Sequence, residues 1–236
     1  MSASFDLILF DLDGTLIETA PEIADAVNDT LRSLGLDAVA EEQVARWIGH
    51  GTHELLIQAL ARASSRSAAE VRADDALPAA SREFDRHYAQ RCGTRSRPYP
   101  GVRRTLDALR RQGTRLAIVT NKEGRYTDRV LDAHGLRDAF VQVVSGDTMA
   151  TKKPDPAGVR HCLQATDVAA ARALFVGDSS IDADTARRAG VPVWLLPHGY
   201  NMGRPLADAA PDRIVEDFDE LARRLLRAPQ LQGGYA

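Results

Sequence analysis

Apolar residues recur along this chain in two rhythms. Leu7, Ile8, Leu9 and Phe10 form an unbroken apolar run, the pattern of a strand buried on both faces of a parallel sheet. Comparable runs occupy 116–119, 141–144, 173–176 and 191–196, with a weaker one at 213–215. Between them, apolar residues three and four apart predict helices over about 102–112, 124–134, 156–165, 181–189 and 217–227. This alternation predicts an α/β fold with a doubly wound parallel sheet. One stretch departs from it. From 17 to 95 no strand is legible, and Ile23, Val27, Leu31, then Val44, Trp47, Ile48, then Leu55, Leu56, Ala59, Leu60, then Phe84 and Tyr88 fall at helical spacing. The expected organisation is a core of residues 1–16 and 97–236 and an inserted bundle of about four helices over 17–96. Gly93 to Pro98 reads as the return linker, Tyr99 to Gly101 as a turn, and the serine-rich stretch 63–69 as a loop or frayed helix. The tail from Pro229 onward has the composition of a disordered segment.

Composition narrows the function classes. With 236 residues, 44% hydrophobic and 27% charged, the chain is neither a disordered polymer nor a fibrous rod. A net charge of −3 does not suit a module built to hold nucleic acid. No window approaches the roughly 20 apolar residues of a membrane span, and no basic-flanked leader precedes the first strand. Cys92 and Cys162 are too few for a disulfide framework or a zinc cluster and are expected as reduced thiols. The expectation is a cytoplasmic protein, monomer or homodimer, with no membrane partner. Among the basic residues there are only three lysines, Lys122, Lys152 and Lys153, against 27 arginines. Genome bias accounts for the low total, but it leaves open why these positions keep lysine.

Ligands of open α/β sheets bind beyond the C-terminal ends of the strands. The polar residues expected there are Asp11 and Asp13 after the first strand, Thr120 and Asn121 after the second, and Asp178 after the fourth. Each has a plain structural explanation: Asp-x-Asp-Gly is often only a turn, and Asp178 or Ser179 can simply cap a helix. Capping explains one acid of the pair Asp178 and Asp182, not both. Carboxylates gathered at neighbouring strand ends form an all-oxygen site for a hard cation, and Mg²⁺ suits a small ligand set that leaves room for water and a phosphate oxygen. Lys153, ahead of Pro154 and Pro156, sits on a stiff loop at a helix entrance. Its compact ammonium delivers a point charge without the bulk of a guanidinium.

Asp11–Leu16, Val119–Asn121, Lys153–Pro156 and Gly177–Asp182, in that order, resemble the four motifs of the haloacid dehalogenase-like phosphatase superfamily. The resemblance implies a Rossmann-like core with an inserted α-helical cap of the first type (C1). It implies Asp11 as nucleophile and Asp13 as acid and base. Thr120, Asn121 and Gly14 would contact the phosphoryl group. Mg²⁺ would be held by Asp11, Asp178 and the backbone carbonyl of Asp13. Lys153 would neutralise charge, and Asp182 would support Lys153 or a metal-bound water. Trp47–Gly51, Tyr99–Val102, Gly199–Asn201 and Pro211–Arg213 are similar to the phosphoglycolate phosphatase branch. There, Gly49, His50 and Gly51 with Arg46 and His53 would read the second anionic group of a small phosphorylated metabolite. Asp13 argues against a dehalogenase, which lacks the second acid. The lysine-free insertion argues against phosphonate hydrolases and hexose phosphomutases, which use a cap lysine. A phosphatase for another sugar or nucleotide phosphate, such as N-acetylmuramic acid 6-phosphate, stays open. A catalytically silent binding protein would have lost one of Asp11, Asp13, Lys153 or Asp178, and all four are present.

Overall fold

The computed structural model describes residues 5–226; the tail from Pro229 lies outside them. Six parallel strands form the sheet: β1 (Leu7–Phe10), β4 (Arg115–Val119), β5 (Gln142–Val144), β6 (Ala173–Gly177), β7 (Val193–Leu195) and β8 (Arg213–Ile214). Two further strands, β2 (Ile17–Glu18) and β3 (Arg97–Pro98), pair with each other as a short antiparallel ribbon. The order in the sheet is β5-β4-β1-β6-β7-β8. Leu9 of β1 lies between Ala117 of β4 and Phe175 of β6. The chain therefore winds outward from β1 in one direction, then returns and winds in the other. That reversal opens a crevice at the C-terminal ends of β1 and its neighbours, where ligands of such sheets bind.

Both faces are covered, which is why the central strands β1 and β6 are apolar and buried throughout. Ile8 and Phe10 face one core with helices α6 (Val102–Arg111), α7 (Gly124–Ala133) and α10 (Phe218–Leu225). Leu7 and Leu9 face the other with α8 (Ala157–Thr166) and α9 (Ser180–Ala189). All five expected helices are present, with ends shifted by a residue or two.

The insertion holds five helices: α1 (Ala20–Ser33), α2 (Glu41–Ala45), α3 (Thr52–Ser64), α4 (Ala68–Arg72) and α5 (Leu77–Arg91). Two are single turns too short for a periodic signal. Within the serine-rich stretch α3 runs on to Ser64. Ser65 turns left-handed at φ 55, and Ser67 starts α4 through a reciprocal capping box with Glu70. The expectation of no strand from 17 to 95 is corrected by the β2–β3 ribbon. It ties the exit of the insertion to its return, so Arg97–Pro98 is strand rather than free linker. Two-residue strands have no legible period, and this pairing is set by residues some 80 positions apart. The insertion also shares its core with the sheet: Ile23, Val27, Leu56 and Phe84 belong to the same apolar cluster as Ile8 and Phe10. No helix among the described residues is long and apolar enough to cross a membrane.

Candidate active site

The β1 strand ends by carrying Asp11 under the insertion. Gly14, at φ 86, turns the chain tightly back, and its N–H donates to the Ile17 carbonyl at 2.8 Å. A Cβ on Gly14 would stand 2.5 Å from an Asp178 oxygen. Glycine is thus needed here to let Asp178 approach, and Gly14 does not line the cavity above Asp11 as a phosphate ligand would. Asp178 is buried at 2% exposure. One of its oxygens accepts from the Thr15 hydroxyl at 2.6 Å and the other from the Tyr200 N–H. Gly199 makes the same kind of room, since a Cβ there would fall 2.1 Å from Asp178 Oδ2.

Asp182 answers both readings of its position. Its Oδ2 accepts from the Asp178 and Ser179 N–H groups, each at 3.1 Å, and closes a capping box with Ser179 at the start of α9. Its Oδ1 accepts from Lys153 Nζ at 2.7 Å. Lys153 Nζ also meets Asp11 at 2.6 Å. One buried ammonium therefore joins the first and fourth motifs. Burial alone would strip its proton, but Asp11 and Asp182 outweigh burial and hold Lys153 above the usual lysine range. Burial pushes the Asp11 carboxyl up to about 6 against the pull of Lys153, with Asp182 and Asp13 adding to the rise. Burial, then Asp182 and Asp11, push Asp178 well above the ordinary carboxylate range.

Asp11, Asp178 and Asp182 each offer an oxygen within 4.8 Å of the others. Three buried carboxylates face a single ammonium, and Asp178 accepts only from neutral groups. Such an excess of negative charge out of water is costly unless a cation compensates it, so the donor set fits a hard divalent ion.

Asp13 points to a different cation. Lys122 Nζ lies 3.1 and 3.2 Å from its two oxygens and also donates to the Tyr88 hydroxyl. The sequence left open why position 122 keeps lysine. The structure buries it at 3% exposure. Burial works against its charge, but Asp13 outweighs burial and raises Lys122 above its ordinary value. Thr120 lines the cavity and accepts from the Lys122 N–H at 3.3 Å. Asn121, expected against phosphate, lines the cavity, and its side-chain amide donates to two carbonyls. These are Gly49 of the insertion at 2.8 Å and Lys153 at 3.0 Å.

A cavity lies over Asp11, Asp13, Thr120, Asn121, Lys122 and Lys153. From the insertion Ile23, Ile48, Gly49, Gly51, Thr52 and Leu55 close it. Gly49 and Gly51 are thus where expected, but His50, His53 and Arg46 are not. His50 and His53 are exposed and border a separate surface hollow with Glu54, Arg72 and Lys152. Arg46 runs along the loop at Gly203. The His50 carbonyl faces the core and accepts from Lys152 Nζ at 2.8 Å, so Lys152 is not merely a solvated charge. The glycines on either side of His50 set the path of the loop, and the ring points out.

Two further residues escaped the sequence reading. The Tyr200 hydroxyl accepts from the Thr19 and Ala20 N–H groups at the start of α1, at 3.1 and 3.0 Å. Asn201 Oδ1 accepts from the Ser180 N–H at the start of α9 at 2.8 Å. The sequence marked Gly199–Asn201 as distinctive without showing that these residues hold two helix starts.

The profile of the haloacid dehalogenase-like hydrolases matches residues 8–196, a span running from β1 through β7 that includes Asp11, Asp13, Thr120, Lys122, Lys153, Asp178 and Asp182. The chain belongs to that family. Its curated relatives include phosphoglycolate phosphatases of Pseudomonas syringae pv. syringae and Vibrio cholerae. The first is 41% identical over 216 residues, covering 91% of this chain and 78% of the relative. The second is 38% identical over 226 residues, covering 94% and 98%. Among solved structures, a predicted phosphoglycolate phosphatase from Haemophilus somnus superposes with a TM-score of 0.87 at 34% identity, covering 93% of this chain and 97% of that one. CbbY from Rhodobacter sphaeroides, solved with phosphate, gives 0.76 at 27% identity, covering 92% and 96%. As a haloacid dehalogenase-like hydrolase the chain is an enzyme whose first-motif acid pair, Asp11 and Asp13, lies under a helical cap.

Proposed function

We propose that this hydrolase is a Mg²⁺-dependent phosphomonoesterase that converts 2-phosphoglycolate to glycolate and phosphate. The observation that carries the reading is the junction at Lys153, whose ammonium bridges Asp11 and Asp182 beside the buried Asp178. The names of the relatives support the ester, and the small cavity with a lysine-free cap agrees with a short leaving group.

Asp11 and Asp178, with the Asp13 carbonyl, would hold Mg²⁺. When bound, the ion supplies Lewis-acid neutralisation of the phosphoryl charge. Asp11 needs no base, because a carboxylate is already a nucleophile at neutral pH. Its oxygen bonds to phosphorus as the ester oxygen leaves, giving an aspartyl-phosphate. Asp13 gives its proton to the departing alkoxide. It then takes one from the water that attacks phosphorus, and the Asp11 carboxylate is released with its electron pair. Lys153, held by Asp182, would neutralise phosphoryl oxygens. The cap closes the site to bulk water.

Phosphate release from a panel of esters, with Mg²⁺ and with chelator, tests the reading. 2-Phosphoglycolate should lead in kcat/KM, and chelator should abolish turnover. A sugar or nucleotide phosphate in first place would replace the substrate, and no release from any ester would overturn the phosphatase reading.

A further inference from the structure

Two lysines are fully buried among the described residues. Lys153 has its place in the scheme above; Lys122 has none. An ammonium carries three donors, and Lys122 turns its ammonium to partners within the protein. These are both oxygens of Asp13, at 3.1 and 3.2 Å, and the Tyr88 hydroxyl. Lys122 borders the cavity, but its side-chain partners are Asp13 and Tyr88, which places it to hold Asp13. Its anchorage is rigid from both sides. The Lys122 carbonyl accepts from the Gly146 N–H at 2.8 Å and from the Thr127 hydroxyl at 3.3 Å. Tyr88 is itself wedged between Phe84 and Tyr126, with ring centroids 5.4 and 4.4 Å away. Tyr88 stands on α5 of the cap, so the ammonium is gripped by cap and core together.

We propose that Lys122 is the positioning residue for Asp13 in the hydrolytic half of the reaction, with the cap's Tyr88 fixing Lys122; this rests on the phosphatase reading above. A carboxylate oxygen has two lone-pair sites. Lys122 occupies one on each oxygen of Asp13 and fixes the plane of the carboxylate, leaving the others to face the cavity. There Asp13 takes a proton from water as the water oxygen bonds to phosphorus. The bond between phosphorus and the Asp11 oxygen breaks, and its electron pair returns to Asp11. Without Lys122 the carboxylate swings out of line, and this step slows more than formation of the aspartyl-phosphate.

Steady-state kinetics with 2-phosphoglycolate and Mg²⁺, joined to intact-mass analysis of acid-quenched enzyme, test this. Release of phosphate by the unsubstituted protein first checks the phosphatase reading on its own. Lys122→Met is then expected to lower kcat on the order of 10²-fold, the scale of a misplaced catalytic group, with KM little changed. A phosphorylated chain should accumulate during turnover. Tyr88→Phe deletes only a hydroxyl and keeps the ring stack. It is expected to act in the same direction with a smaller loss, and it serves if Lys122→Met does not fold. A raised KM with kcat retained would show that Lys122 binds substrate. A fall in kcat without accumulation of phosphorylated enzyme would show no selective part in hydrolysis. Either result overturns the proposal.

Discussion

Asp11 and Lys153 face each other at 2.6 Å, and their chemistry follows from being buried together. Asp11→Asn keeps the shape and removes the nucleophilic charge. Turnover of 2-phosphoglycolate is expected to fall to background in a phosphate-release assay, and retained turnover would rule out attack by Asp11. The glycines around Asp178 are a subtler case. Gly199→Ala would drive a Cβ to within 2.1 Å of Asp178 Oδ2. Crowding of this kind costs about 1–3 kcal/mol in a packed interior, and here the yielding atom belongs to the proposed cation site. The Mg²⁺ concentration for half-maximal activity is expected to rise about tenfold or more, as when a supporting shell is disturbed. A Mg²⁺ titration identical to that of the unsubstituted enzyme would refute this. Lys153, Asp178 and the first-motif acids were legible as residues because their types and order are specific. That Asp178 leans on glycines from two distant loops was not legible, because a glycine in sequence does not say what approaches it.

At the scale of elements, the junction between cap and core depends on Glu22. It lies in the first turns of α1 and is wholly buried. Its Oε2 accepts from the N–H groups of Gly93 and Ser96, each at 2.9 Å, and of Arg95 at 3.3 Å. One carboxylate therefore gathers the chain where it leaves the cap, next to the β2–β3 ribbon. Hydrogen bonds to a charged group contribute about 1.5–3 kcal/mol each in favourable settings, and buried amides left unmet cost a similar amount. Glu22→Ala is expected to lower the thermal midpoint by roughly 10 °C or more, from about 2–4 °C per kcal/mol in a chain of this size. Differential scanning calorimetry measures it, and a shift under about 2 °C would contradict the clamp. Periodicity placed the helices on either side. It could not show the clamp, since a glutamate in an amphipathic helix ordinarily reads as a solvated face.

For the molecule as a whole, two ionic effects act on stability. A cation that binds the folded chain and not the unfolded one stabilises by mass action, about 2.7 kcal/mol at a hundred times its dissociation constant. Mg²⁺ is expected to raise the thermal midpoint of the unsubstituted protein by several degrees and that of Asp178→Asn by much less. Equal rises would place the ion elsewhere. Protons act through His198. Burial lowers its pKa below the ordinary value, although the Thr15 carbonyl, 3.2 Å from its ring, favours the charged form. In the unfolded chain the ring takes up its proton near pH 6.5; in the folded chain it does so lower. Its contribution is therefore full above about pH 6.5 and is lost as pH falls through the folded value. Urea unfolding from pH 7.5 to 5 should show the unsubstituted protein losing stability relative to His198→Asn; parallel curves would exclude the effect.

The sequence by itself determined the α/β alternation, the inserted helices and the four motifs at the strand ends. These rest on local signals: apolar runs that must be buried on both faces, helical periodicity, and polar residues where apolar strands stop. Only the tertiary structure decided who meets whom. It turned His50, His53 and Arg46 away from the cavity. It closed the cap with the β2–β3 ribbon and Glu22. It divided the lysines, giving Lys153 to Asp11 and Asp182, Lys122 to Asp13 and Tyr88, and Lys152 to the His50 carbonyl. Those partners lie 29 to 142 positions from their lysines, and proximity of that kind is created only when the sheet and its insertion pack together.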